Sequence, residues 1–356
     1  MDLSGLRQQI DSIDEQIVSL INRRYELVAE VGKWKNSNAH EIYVPEREKA
    51  LLERLESLNK GPLPNGTLRA IYREIMSGAL ALEYPLAIAY LGPENTFSNQ
   101  AALSKFGASV HYEPKNSIAE VFDDVEKGKV SYGVVPIENS TEGAVTYTLD
   151  MFVNSNCKIC AEINLPAHQY LLSKSAADEI RVIYSHPQAI AQCRGFLHKT
   201  YPLIPLVEVR STAEAARLAA GEPGSAAIAS QLAGDYYKLN VIEEKIEDRM
   251  NNVTRFLVIG RQEPKPTGDD KTSIMFGVKD KVGALYECLS YFDKDKISLT
   301  MIESRPSKNK EGEYFFFVDF KGHINDKTTT HLLNDLQDSC IFVKVLGSYP
   351  NGKSEK

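Results

Sequence analysis

Residues 3–36 run without a proline and carry Leu6, Ile10, Ile13, Ile17, Leu20, Leu27, Val31 and Trp34 at helical spacing, with Gly5 and Gly32 only near the ends. Such a helix is about 50 Å long at 1.5 Å per residue, further than a globule of this size can cover with its own surface. An apolar stripe of that length needs a second chain, so an intertwined helical dimer is expected. A second helix is predicted to start near Pro45, a residue suited to a first turn, and to run through REKALLERLESL. After the break at NKGPLPNG, TLRAIYREIMSGALALE reads as a third, and Pro85 closes an all-helical block at 1–85.

From Leu86 the pattern changes to short apolar runs between helices. LAIAYLG, YGVVPI, KICAEINL, RVIYS, LVEV, AAIAS and FLVIG read as strands, and Ser117–Glu120 and Ser211–Glu214 as capping boxes. This predicts an α/β domain over 86–262, followed by a Pro/Gly/charged linker at 263–270. Residues 271–350 then follow a β-α-β-β-α-β order, which indicates a ferredoxin-like sandwich.

The formal net charge of −7 argues against nucleic-acid binding, while a few placed arginines still allow a small anionic substrate. No apolar window approaches a membrane span, and MDLSGLRQQI lacks the features of a signal peptide, so a cytoplasmic protein is expected. The five scattered cysteines suit a reducing compartment; Cys157 and Cys160 form a lone C-x-x-C without a second pair or nearby His. Gly347–Ser354 satisfies the phosphate-loop pattern, but such a loop works only when it opens a helix, and none is expected there. No metal and no cofactor are expected.

On the first helix Arg24 and Lys35 are eleven residues apart, close to three turns, and share a face; Arg7 is seventeen residues before Arg24, roughly 25 Å along the axis. One small ligand cannot reach both Arg7 and the other two on one straight helix. Spacing alone leaves open that all three are solvated charges. LRQQIDSIDEQIVSLINRRYELVAEVGKWK, PEREKALLERL and IYREIMSGALALE together resemble the all-helical chorismate mutases. The resemblance implies a cofactor-free rearrangement of chorismate to prephenate, catalysed by positioning and charge. It implies that Arg24 and the partner chain's Arg7 grip carboxylates, that Lys35 donates to the ether oxygen, and that Arg47 and Glu48 lie beside the site. Val44 stands where relatives commonly have Asp and Ala79 where they often have Ser, so two polar contacts are missing. The resemblance puts Glu83 where many relatives have Gln and others Glu; to donate to the ether oxygen from there it must be protonated, which predicts mutase activity falling toward alkaline pH.

Four polar clusters sit at strand ends in the α/β segment, where open α/β folds place ligands: GPENTFS, PIENSTEG, SHPQAIAQC and NNVTRF. Each alone also reads as a capping loop. Together they resemble prephenate dehydratase, which implies two lobes like a periplasmic binding protein with prephenate between them. The implied reaction loses water and carbon dioxide to give phenylpyruvate, so the leaving hydroxide needs a proton donor. The resemblance assigns that role to Thr254, with Glu138 as the candidate relay. It implies that Thr96, Ser98, Asn139, Ser140, Ser185 and Gln192 hydrogen-bond substrate, while Arg255 orients the loop or pairs with a carboxylate. Asn95 replaces a usual Gly in a loop that needs left-handed backbone, which Asn tolerates.

Gly283-Ala284-Leu285 opens a helix and Glu303-Ser304-Arg305-Pro306 ends a strand. The pair resembles the ACT regulatory domain of prephenate dehydratases, which implies L-phenylalanine as effector at a dimer interface. The whole is expected to be a bifunctional mutase and dehydratase, homodimeric or homotetrameric. Two alternatives stand: a non-catalytic amino-acid sensor, and a dehydratase with a weakened mutase. Supplying chorismate or prephenate, with and without phenylalanine, separates the three.

Overall fold

A computed structural model describes residues 2–37, 43–249, 251–278, 281–306 and 314–352. Residues 1–87 with 105–111 form one compact unit, and 88–104 with 112–356 the other.

The first unit holds α1 (Leu3–Ser37), α2 (Pro45–Leu58) and α3 (Asn65–Glu83). The expected stripe on α1 is open to solvent: Leu6, Ile10, Ile13, Ile17, Leu20, Leu27, Val31 and Trp34 are 46–65% exposed. Two glycines let α3 approach α1 closely. A Cβ on Gly32 would lie 3.0 Å from the Glu83 Cα, and one on Gly78 would strike the Tyr25 hydroxyl. That hydroxyl donates to the Ile75 carbonyl at 3.0 Å. Pro45 opens α2 after Val44, whose side chain makes no cap, as its apolar character requires.

In the second unit the chain first lays down β1 (Ala87–Leu91), α4 (Phe97–Phe106), β2 (His111–Lys115), α5 (Ile118–Glu126), β3 (Tyr132–Asn139), β4 (Gly143–Ala144), α6 (Thr146–Asn154) and β5 (Lys158–Pro166). It then leaves to build a second sheet from β6 (Tyr170–Ser173), β7 (Val182–Ser185), β8 (Leu206–Glu208), β9 (Ser225–Ala229) and β10 (Asn240–Glu243), in the order β10-β6-β9-β7-β8. Helices α7 (Pro187–Gln192), α8 (Arg194–Thr200), α9 (Thr212–Gly221) and α10 (Gln231–Tyr237) accompany it. The chain returns as β11 (Val253–Gly260), which inserts between β3 and β5, antiparallel to both, and completes the order β2-β1-β3-β11-β5.

Ser117 and Ser211 do cap α5 and α9, each accepting from the backbone N–H of the Glu three residues on. The seven strands read from apolar runs are all present. β2, β4, β6 and β10, which were not read, are a polar strand, a two-residue one, a short one and an exposed edge.

The sandwich follows the expected order: β12 (Asp270–Gly277), α11 (Ala284–Lys294), β13 (Leu299–Pro306), β14 (Tyr314–Lys321), α12 (Lys327–Ser339) and β15 (Phe342–Pro350). The strand order is β13-β14-β12-β15, and the helices bury Cys288, Phe292, Leu332 and Leu336 against Ile274, Phe276 and Phe320. Gly347 lies within β15, so the phosphate-loop match is a strand; Lys353 and Ser354 lie outside the described residues. Cys157 and Cys160 are buried free thiols, and burial pushes Cys157 up to about 11.

Candidate active sites

Thr254 is the second residue of β11, and the register pairs it with Asn139 at the end of β3. Paired residues on antiparallel strands share a face, and successive residues alternate. Asn139 therefore faces Thr254, while its neighbour Glu138 pairs with Arg255 and faces the other way. Glu138 thus does not share the face of Thr254. Its carboxylate lies 4.0 Å from Arg255 instead.

The amide of Asn139 can be oriented without ambiguity. Its Oδ1 accepts from the Thr141 backbone N–H at 3.0 Å, so its Nδ2 is the group that donates to Thr254 Oγ1 at 2.8 Å and to Asn252 Oδ1 at 2.9 Å. Asn252 Nδ2 in turn donates to the Ala167 carbonyl at 3.4 Å and to Gln192 Oε1 at 3.2 Å. Gln192 Oε1 also accepts from Gln169 Nε2 at 3.3 Å, which leaves Gln192 Nε2 to donate to Glu142 Oε1 at 2.9 Å. A chain of neutral amides thus runs from Thr254 across to the second sheet's α7, fixed by backbone groups at Thr141 and Ala167. Thr254 enters it as an acceptor, so its own proton is directed elsewhere. An alcohol held in this way can give up a proton while the amide stabilises the oxygen left behind.

Other expected contacts are occupied by the fold. Ser185 is wholly buried and donates to the Ile228 carbonyl at 2.7 Å, tying β7 to β9 rather than meeting a substrate. Ser140 donates to the Asn251 carbonyl at 2.9 Å and accepts from the Val253 N–H at 3.0 Å, which clips the start of β11. Thr96 closes its loop on the Pro93 carbonyl at 3.0 Å and accepts from the Asn99 N–H. Ser98 sits in the first turn of α4 with no hydrogen-bond partner for its hydroxyl among the described residues. Asn95 takes the left-handed backbone its loop needs, at φ 65°.

Arg255 is a correction of another kind. Its guanidinium, expected to orient the loop or to pair with a substrate carboxylate, is buried against the protein's own carboxylates: Nε to Glu162 at 2.7 Å and Nη1 to Asp319 at 2.6 Å. Nη2 donates to the Tyr349 hydroxyl at 2.9 Å. Glu162 also takes Lys271 Nζ at 2.8 Å and the Gly352 N–H at 2.7 Å. Burial alone would raise the Glu162 carboxyl, but Arg255, Lys271 and that N–H outweigh it and hold it below its ordinary value. The strand that carries Thr254 is thereby bolted to β12, β14 and β15 of the sandwich. Arg305 makes a second bolt, gripping Asp150 of α6 with Nε and Nη2 at 3.1 and 3.2 Å. Glu303, Ser304 and Pro306 share its strand. Gly283 caps α11 at φ 83° with open space where a Cβ would be, beside Ala284 and Leu285.

In the helical unit Lys35 Nζ meets Glu83 Oε2 at 2.7 Å, and both are largely buried. The two come together because Gly32 admits the Glu83 backbone. Arg24 Nη1 is buried with no hydrogen-bond partner among the described residues, an orphan donor. Glu48 takes the Tyr43 hydroxyl and Lys105 Nζ, each at 3.0 Å. Arg7 stands exposed on α1 and Arg47 lies in the first turn of α2. Asn252, Gln188, Gln169 and Glu142 were not picked out from the sequence. All but Gln169 belong to the quoted clusters, where a residue of amide or acid type beside a named one was the available signal.

Two α/β lobes meeting over a held alcohol, a helical unit with buried cations and a ferredoxin-like sandwich define a multidomain enzyme for small anionic substrates. The prephenate dehydratase family matches residues 88–264, chorismate mutase type II residues 6–84 and the ACT domain residues 272–337. A bifunctional chorismate mutase/prephenate dehydratase of Aquifex aeolicus is 48% identical over 354 residues, covering 98% of each chain. One from Stutzerimonas stutzeri is 48% identical over 355 residues, covering 98% of this chain and 97% of its own. The crystal structure of prephenate dehydratase from Arthrobacter aurescens in complex with L-Phe superposes with TM-score 0.70 at 32% identity, over 75% of this chain and 90% of that one. The chain belongs to the family of bifunctional chorismate mutase/prephenate dehydratases.

Proposed function

We propose that the helical unit rearranges chorismate to prephenate and that the two lobes convert prephenate to phenylpyruvate, under control of L-phenylalanine bound at the sandwich. The activities follow from family membership along the whole chain. The residue roles rest on geometry, and the observation that carries them is the Asn139 amide on Thr254 Oγ1.

Thr254 protonates the departing ring hydroxyl, and Asn139 replaces Glu138 as the group that stabilises the threonine oxygen as it gives up its proton. Carbon dioxide leaves as the ring becomes aromatic. Ser98 and Gln192 face the substrate, whereas Ser140, Thr96, Ser185 and Arg255 hold the walls. In the mutase, Arg24 and Lys35 meet the substrate from one chain and Arg7 from its partner, with Arg47, Glu48 and Glu83 beside them. The exposed stripe of α1 supports that pairing of copies. Gly283, Ala284 and Leu285 with Glu303–Pro306 form the effector site, and Arg305 carries its state to α6.

The test is Thr254→Ala assayed with both substrates. Phenylpyruvate formation is expected to vanish while prephenate formation from chorismate persists. A variant that keeps dehydrating would remove Thr254 from its role.

A further inference from the structure

Glu142 lies at the tip of the turn between β3 and β4, followed by Gly143 at φ 86° with nothing near a Cβ position. Its exposed carboxylate reaches across to the other lobe. One oxygen accepts from Gln192 Nε2 at 2.9 Å, and the other from Gln188 Nε2. Gln188 and Gln192 are one turn apart on α7, so their amides project side by side. Two N–H donors set for two oxygens make a cradle for a carboxylate. The cradle is built rather than casual, because Asn252 and Gln169 hold Gln192 Oε1 and so aim its N–H groups outward. It also stands at the end of the amide chain that begins at Thr254.

We propose that Glu142 is a tethered competitor of the substrate: its carboxylate holds the Gln188 and Gln192 amides that otherwise take a substrate carboxylate. The inference rests on the reading of this cleft as the prephenate site. Prephenate brings carboxylates, and Glu142 must swing out on its turn before one of them can enter. The glycine beside it and the exposed position make that swing a local event. If Glu142 fills the cradle most of the time, the apparent affinity for substrate is reduced by the fraction of time the cradle is open. The alternative is a latch, in which Glu142 assists catalysis by holding the lobes shut.

The two differ in sign. Replacing Glu142 by Ala in the full chain is expected to lower the prephenate KM about threefold to tenfold, with kcat within twofold. Adding Gln188→Ala is expected to raise KM again, because the cradle itself is then damaged. Glu142→Gln, which loses the charge but keeps length, is expected to fall between. An unchanged or raised KM in Glu142→Ala overturns the proposal. So does a fall in KM that disappears at raised ionic strength, since that would be long-range repulsion rather than occupancy. Mutase turnover in the same samples reports folding. Thr254→Ala run alongside separates the two failures: if it still dehydrates prephenate, the cleft has been misread, and if it is dead while KM stays put, only the competitor idea falls.

Discussion

Asn139 spends both hydrogens of its amide on oxygens, one on Thr254 and one on Asn252, and both of its neighbours along the chain are polar. Removing it should leave the threonine in place but without its stabilising donor. Asn139→Ala is expected to lower the dehydratase kcat on the order of a hundredfold, the effect of losing one such donor, with mutase turnover unchanged. Asn139→Asp is expected to fare no better, because a carboxylate in that position cannot donate. Steady-state formation of phenylpyruvate measures both. Thr254 as the proposed proton donor comes from its motif. The residue that faces it was not legible, because Glu138 and Asn139 are adjacent in the same motif and only the strand register decides which one meets the threonine. Likewise Ser185 and Ser140 have the right chemistry for substrate contacts, but nothing local to them reveals that Ile228, Asn251 and Val253 already use their hydroxyls.

At the scale of elements, the α1–α3 packing depends on a residue that helices disfavour. Glycine costs about 1 kcal/mol in a helix relative to alanine. It stands at position 32 because a Cβ there would meet the Glu83 Cα at 3.0 Å. Gly32→Ala is therefore expected to raise local helicity yet push α3 outward by a few tenths of an ångström, separating Glu83 from Lys35. The mutase kcat/KM should drop about tenfold, the cost of a small misplacement, while dehydratase rates hold. Equal loss of both activities would contradict it. The long helices and most buried strands were readable because their apolar residues keep a period, whereas buried β6, four residues long, is too short to show one. The strands β2 and β10 were not, since an edge or polar strand buries too little to imprint an alternation.

Across the whole second unit, Arg255 and Lys271 face Glu162 and Asp319 in a buried cluster with two charges of each sign. Their partners lie as far as β14 and β15, so no reading of TRF could have placed them. Asp319→Asn leaves a cation uncompensated and is expected to destabilise the docking of sandwich on lobe by about 3 to 5 kcal/mol, seen as a lower Tm. Glu162 is depressed in the folded chain, so its stabilisation is complete above the unfolded carboxyl's value of about 4.3 and is lost as pH falls through the folded one. Thermal stability should accordingly decline in acid, beginning below about pH 5. L-Phenylalanine is expected to slow dehydration in the unmodified chain, and Arg305→Ala to weaken that response while leaving uninhibited turnover within twofold. The path of β11 adds a constraint of time. β3 and β5 flank a place that stays empty until residue 253 has been made, long after β5 ends at Pro166. At ribosomal speeds that interval is on the order of ten seconds, during which two apolar strands wait with bare edges in the nascent chain. A chain interrupted before β11 has therefore lost not only Thr254 but the middle of its first sheet, and chaperones that shield strand edges should bind it during that window.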